Sequence, residues 1–284
     1  MSLPDLGIIG TMTDFAQLET IGVIAGNGIY PETFIAAARK AGVKKVVVSA
    51  FQNETEPHVA DLAEATEWLR VGQLGKMIKF FKKHDVAHAV MVGQIAPKNL
   101  FDLRPDLRTL KMLSKVKERN AETLFGAIGD ELASDGIELI PATTFLEDLL
   151  PSAGHVFGPK LTERQESDAD YGFGIAKETS RLDIGQTVVV KKGTVLAVEA
   201  FEGTNEAIKR GGMLGKGEAM MCKVSKPNQD FRFDVPVVGP ATIETAAEAG
   251  VNAIIVEADC TLLLGKDDVE KLCKEKKVSL VARG

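Results

Sequence analysis

Ile21-Gly22-Val23-Ile24-Ala25-Gly26-Asn27-Gly28-Ile29-Tyr30-Pro31 decides the fold. Five compact, mostly apolar residues predict a buried strand, and the glycines after them a sharp turn. Phe34, Ile35, Ala38 and Ala41 then recur at helical spacing. Strand, glycine turn and helix open a doubly wound α/β domain. Pro31 suits a first helical turn, Glu32 favours the positive end of the helix dipole, and Gly42 ends the helix before a second apolar strand at Lys45–Ala50. A dinucleotide fingerprint is not completed. Pro31 stands where the third glycine belongs, and the second strand runs into Ser49-Ala50-Phe51-Gln52 with no acid. Two uses remain open for Gly26, Asn27 and Gly28: backbone N–H groups that hold a phosphate or other polar group, or a tight turn and nothing more.

Outward from this stretch the alternation continues. A third strand is expected over Glu67–Val71, then Gly72-Gln73-Leu74-Gly75-Lys76 and a helix; a fourth over His88–Ile95 carries Gly93-Gln94 near its end. Gln73, Lys76 and Gln94 thus stand at strand ends, where open α/β sheets place ligands, and the two Gly-Gln pairs are expected to aim amides into one crevice. Lys76 is a phosphate candidate. Arg104-Pro105-Asp106 precedes a helix over Leu107–Arg119, a second helix covers 120–134, and a fifth strand covers Glu138–Pro141; a turn of helix is expected near Asp14–Glu19. This order predicts a Rossmann-like parallel sheet in an N-terminal domain over 1–150. Leu150-Pro151-Ser152-Ala153-Gly154 breaks the periodicity and begins a second domain, 151–284.

The second half has a different texture. A helix follows Thr162 as cap, with Glu163, Glu166, Asp168 and Asp170 read as a solvated face. Two β-branched runs flank Lys191-Lys192-Gly193 as a hairpin. The second run delivers Glu202 and Thr204 to a strand-to-helix turn, with Arg210 about two turns into the helix. Gly211–Gly217 reads as a flexible, lid-like glycine loop, since it lacks the ending of a phosphate loop. Strands over Ala219–Val224, Ala253–Glu257 and Val278–Val281, with helices capped by Thr242 and covering Lys266–Lys276, complete a mixed α/β domain.

Between these elements lies Lys226-Pro-Asn-Gln-Asp-Phe-Arg-Phe-Asp-Val-Pro-Val-Val-Gly-Pro240. Three prolines favour a rigid extended loop over a helix. Extended, it would set Asp230, Arg232 and Asp234 on one face and Phe231 and Phe233 on the other. Carboxylates hold Mg²⁺ and cations hold phosphate oxygens, so the block suits a metal-bound, phosphate-bearing substrate. A plain Arg–Asp ion-pair row is the equal alternative.

The whole chain of 284 residues is 45% hydrophobic and 26% charged, as in ordinary soluble proteins, and its net charge of −6 argues against a nucleic-acid partner. No apolar run approaches a membrane span and no leader pattern is seen, so a cytoplasmic protein is expected. Contact with the inner membrane, if made, is expected to be peripheral and transient. Three scattered cysteines suggest neither disulfides nor zinc, and His84 and His88 read as a helix end and a strand start.

Gly22–Gly28 with Pro31, Gly72-Gln-Leu-Gly-Lys76, Asp183-Ile-Gly-Gln186, Val198–Thr204 and above all Lys226-Pro-Asn-Gln-Asp-Phe-Arg-Phe-Asp234 resemble the cytosolic, non-calcineurin type of UDP-2,3-diacylglucosamine pyrophosphatase. The resemblance runs from about Ile21 to the C-terminus. It implies hydrolysis of the substrate pyrophosphate to UMP and 2,3-diacylglucosamine 1-phosphate (lipid X) in lipid A synthesis. It further implies Mg²⁺ dependence, a homodimer, and a catalytic aspartate at Asp230 with Asp234 close second. Asn205 stands where the family pattern has Asp. On this basis Asp230, Asp234 and Glu202 are the metal candidates, and Lys226, Arg232 and Arg210 the charge-balancing cations. Gly26, Asn27, Gly28, Gln73, Lys76, Gln94, Thr204, Arg210 and Gln229 are the substrate-binding candidates. A non-catalytic sugar-nucleotide or lipid binder and a nicotinamide oxidoreductase are the alternatives.

Overall fold

The computed structural model describes residue 15 and residues 17–95, 105–116 and 121–284. Asp14, Arg104 and Arg119, where parts of the N-terminal turn and of the third helix are expected, lie outside the described residues. The chain divides into two compact units, one of Met1–Leu146 with Asp230–Asp234, the other of Glu147–Gln229 with Val235–Gly284.

In the first unit the order is β1 (Thr20–Ala25), α1 (Tyr30–Lys40), β2 (Lys45–Phe51), β3 (Ala65–Leu69), α2 (Leu74–Lys83), β4 (His88–Val92), α3 (Leu107–Lys115), α4 (Ala121–Ala133) and β5 (Glu138–Leu139). All five strands are parallel, in the order β3-β2-β1-β4-β5. β1 and β2 are buried along nearly their whole length, as central parallel strands must be. The third strand starts and ends two residues before the expected Glu67–Val71, because Arg70 and Val71 already belong to the turn into α2. Leu69, Ile78, Phe81 and Leu132 centre the core on one face.

The second unit runs β6 (Gly154–Phe157), α5 (Glu163–Arg181), β7 (Thr187–Lys191), β8 (Thr194–Val198), α6 (Thr204–Gly215), β9 (Ala219–Lys223), β10 (Val237–Val238), α7 (Pro240–Glu248), β11 (Val251–Glu257), β12 (Leu262–Leu263), α8 (Lys266–Lys276) and β13 (Ser279–Arg283). Its mixed sheet has the order β6-β13-β11-β9-β7-β8, parallel in the centre and antiparallel at both sides. Side chains alternate between faces. Met221, Ile254 and Val256 join Ile208, Ile243 and Val269 of α6, α7 and α8, while Met220, Cys222 and Ile255 join Ala169 and Ala176 of α5.

Several local expectations are corrected here. Gly211–Gly215 is not a loop but the end of α6, with its three glycines buried and Met213 and Leu214 exposed. A Cβ on Gly211 would meet Val189 at 2.5 Å and one on Gly212 would meet the Ala249 carbonyl at 2.1 Å, so the glycines let the helix approach β7 and α7. The α7 cap is Gly239 rather than Thr242, with Pro240 in the first turn. The acids of α5 do form a largely exposed face, and three of them also hold neighbours: Asp168 accepts the Lys192 and Gly193 N–H groups of the hairpin turn at 2.8 Å each, and Arg283 bonds Glu166 and Asp170. Thr162 does cap α5, in a reciprocal box with Gln165. Among the described residues no helix is long and apolar enough to cross a membrane.

Candidate active site

Parallel strands leave their carboxyl ends at one sheet edge, and the order β2-β1-β4 makes the β1/β4 boundary the place where successive connections diverge. Gly26, Asn27 and Gln94 meet there. Gly26 N–H donates to Val92 O at 2.8 Å and Asn27 N–H to Gln94 O at 2.8 Å, with Gln94 N–H returning to Asn27 O at 3.3 Å. A Cβ on Gly26 would lie 2.5 Å from the Gln94 carbonyl, so only glycine permits the pairing. Asn27 Nδ2 donates to Glu54 Oε2 at 3.1 Å, and Glu54 is 5% exposed. Gly28 is exposed, and α1 starts beyond it with no side-chain cap. Glu54, between β2 and β3, was not anticipated; nothing in its neighbourhood of Gln52-Asn53-Glu54-Thr55 marks it as buried.

Gln73 and Lys76 stand elsewhere, after the edge strand β3. Gln73 Oε1 accepts the Arg70 N–H at 2.9 Å and closes its own turn, so the two Gly-Gln pairs are not a matched set of outward amides. The start of α2 is already occupied by protein groups. Gly75 N–H donates to Asp106 Oδ2 at 2.7 Å and Leu74 N–H to Thr109 Oγ1 at 3.3 Å, while Asp106 Oδ1 also caps α3 through Thr109 N–H at 2.9 Å. Burial pushes the Asp106 carboxyl up, but the hydrogen bonds from Thr109 and from the Gly75 and Lys76 amides outweigh it and hold it below the ordinary aspartate value. An anion at this turn would have to displace that carboxylate. What Lys76 retains is its exposed ammonium.

The Lys226–Asp234 block is a succession of turns, not an extended ribbon. Gln229 N–H returns to Lys226 O at 3.2 Å; Phe233 and Asp234 N–H return to Asp230 O at 3.2 and 2.9 Å. Strand alternation therefore does not apply. Asp230 and Arg232 meet because the turn brings them together: Arg232 Nε and Nη2 reach the two carboxylate oxygens at 2.9 and 2.6 Å, and Arg232 N–H adds a bond at 3.1 Å. Such forked pairs are strong and directional. Burial alone would raise the Asp230 pKa, but these bonds outweigh it and keep the carboxyl below the ordinary aspartate value. The Asp230 hydrogen bond in turn raises Arg232. The five residues are seated in the first unit by Phe233, whose ring lies 5.7 Å from that of Phe125, and by Ala142 N–H donating to Phe231 O at 2.8 Å.

The remaining candidates belong to the second unit. Lys226 Nζ bonds Asp183, and Gln229 Oε1 accepts the Lys226 N–H and, at 3.3 Å, Gln186 Nε2. Thr204 Oγ1 donates to Glu199 Oε1 at 2.9 Å, lies 3.4 Å from Thr187 Oγ1, and accepts Lys223 Nζ at 3.2 Å. Glu202 accepts Arg210 and the Ala200 N–H, and the Arg210 hydrogen bond lowers its carboxyl pKa. Lys223 was missed, although a lysine closing the apolar run Ala219–Cys222 is itself a signal.

Among the described residues no three His, Cys, Asp or Glu side chains gather as a metal cage. Mg²⁺ needs less: it keeps several waters and takes one or two carboxylates with substrate phosphate oxygens. Asp230 and Asp234, one turn apart and joined by the Asp234 N–H bond, have that chemistry, and Asp230 is kept ionised. Such a site would be shared with substrate oxygens.

These features define a two-unit α/β protein with polar groups at strand ends and one forked aspartate–arginine turn between late strands. The LpxI N-terminal domain model matches residues 20–149 and the LpxI C-terminal domain model residues 152–281. The chain belongs to the LpxI family. It is 29% identical over 263 residues to the UDP-2,3-diacylglucosamine pyrophosphatase LpxI of Caulobacter vibrioides, covering 89% of this chain and 93% of that protein. Likeness to solved structures is distant. The biotin carboxylase domain of the Hydrogenobacter thermophilus 2-oxoglutarate carboxylase is 13% identical with a TM-score of 0.26, over 62% of this chain and 35% of that one. The Thermotoga maritima N5-carboxyaminoimidazole ribonucleotide synthetase is 14% identical with a TM-score of 0.23, over 66% and 42%. Neither bears on function.

Proposed function

We propose that this chain hydrolyses the pyrophosphate of UDP-2,3-diacylglucosamine to UMP and 2,3-diacylglucosamine 1-phosphate. The observation that carries the reading is the match of both LpxI domains, together with the Caulobacter pyrophosphatase matched over 93% of its length. The chemistry of the Asp230 turn agrees with it. Pyrophosphate cleavage needs an oriented water and neutralised phosphate charge, and little covalent chemistry from the protein. Asp230, ionised across the neutral range, orients the water or the ion that carries it. Lys226, Arg232 and Arg210 balance charge on the phosphate oxygens. Gly26, Asn27, Gly28, Lys76, Gln94, Thr204 and Gln229 are the groups assigned to the remainder of the substrate; Gln73, which closes its own turn, is not. Asp230 and Asp234 would hold Mg²⁺, which would supply Lewis-acid polarisation. The same reading carries a homodimer, cytoplasmic, touching the membrane surface only transiently to take its acylated substrate.

The test is direct: purified protein with UDP-2,3-diacylglucosamine, with Mg²⁺ or with chelator. UMP release that requires the metal supports the reading. Binding of substrate without release would make the protein a sugar-nucleotide or lipid binder instead.

A further inference from the structure

The chain enters the Asp230 block from β9, and a carboxylate outside that block governs the point of entry. β9 and β11 are parallel neighbours with Lys223 opposite Val256, so Glu257, the last residue of β11, lies beside the chain just beyond β9. Its Oε2 accepts the Ser225 N–H at 2.7 Å and the Ser225 hydroxyl at 2.6 Å. Lys177 of α5 reaches both oxygens at 2.9 and 3.1 Å and donates to Ser225 O at 3.2 Å. Ser225 is 4% exposed, and the residue before it is tied by Val224 N–H to Gln186 O at 3.0 Å. Every polar group of Ser225 is thereby fixed immediately before Lys226. Ion pairs that serve stability alone are common; this one also holds the backbone of one residue at both its N–H and its carbonyl. A part-buried carboxylate accepting three donors loses part of a connected set when one is removed, and the three together favour one geometry.

We propose that Glu257, braced by Lys177, is a positioning residue for the Lys226–Gln229 turn: it sets where the chain leaves the sheet and so how Lys226 is presented to substrate. The inference rests on the proposed hydrolase activity. Misplacement by about 1 Å costs on the order of 100-fold in rate, and loss of supporting hydrogen bonds about 10–100-fold.

Glu257→Gln keeps volume and one acceptor oxygen but places an NH₂ toward Lys177. It is expected to lower kcat about 10–100-fold with KM changed less than about 3-fold, and to speed amide exchange in peptides covering 224–236. Ser225→Ala, which removes one donor only, should show the same pattern more weakly, and serves if the first variant does not fold. Glu178→Gln, on the exposed side of the same helix, is the control with unchanged turnover. Undiminished turnover in Glu257→Gln, or unchanged exchange over 224–236, overturns the proposal, even if thermal stability falls. Because exchange is read without substrate, an inactive wild-type protein whose Glu257→Gln variant still exchanges faster would instead count against the hydrolase reading and leave the clamp standing.

Discussion

Asp230 is the residue on which the proposed chemistry turns. Asp230→Asn preserves the turn, since the Asp234 N–H bonds the backbone carbonyl of residue 230 and not its side chain. It should fold normally and lose about 10²–10⁴-fold in kcat, read as UMP release with folding checked by circular dichroism. The Arg232 bonds make a second expectation. The folded carboxyl titrates below its ordinary value of 3.8, so its contribution to stability is present in full above that pH and lost as pH falls through the lower folded value. The Tm of wild type should therefore fall more steeply below pH 3.8 than that of Asp230→Asn. In Arg232→Gln burial is opposed only by the backbone N–H of residue 232, so the acid limb of kcat/KM moves to higher pH; a limb in the wild-type position would show that Asp230 is not the group titrating. The pairing itself was legible from residues two apart, but for the wrong reason. Strand alternation suggested a shared face, whereas local N–H bonds to Asp230 O wind the segment into a turn, and prolines flanking at 227 and 236 leave its interior free to do so.

At the scale of elements, strands read cleanly wherever apolar residues ran together, because burial on both faces of a parallel sheet demands it. Glycines read less well. Gly211 and Gly212 have the composition of a loop yet serve packing, since the absence of a Cβ favours both. Gly212→Val should destabilise by about 1–3 kcal/mol, measured by urea melting. No loss would mean that α6 can shift away from the Ala249 carbonyl at little cost. Asp106 was likewise visible only as a residue that precedes a helix. That its second oxygen serves α2, some thirty residues earlier, depends on tertiary contact that no periodicity encodes. Asp106→Ala removes both and should cost about 1–2 kcal/mol, more than an isolated capping substitution usually does.

For the whole molecule, alternation of strands and helices made the α/β class and the change to a mixed sheet readable in advance. The return of Asp230–Asp234 to the first unit was not, because five residues carry no composition shift and their docking is a tertiary matter in which a ring pair and a backbone bond take part. Phe233→Ala should therefore loosen the first unit although the residue lies late in the chain. A faster amide exchange in α4 than in wild type is the expected readout, and unchanged exchange there would contradict it. Function followed a different route. Composition excluded classes, while the activity came from resemblance and family membership, since no spacing of residues specifies a diacylated sugar nucleotide. The central claim is tested by UMP release from UDP-2,3-diacylglucosamine, wild type against Asp230→Asn at saturating Mg²⁺. Steady release by wild type, nearly abolished in a folded variant that still binds substrate, is the predicted result; no release by either, or equal release by both, would contradict it.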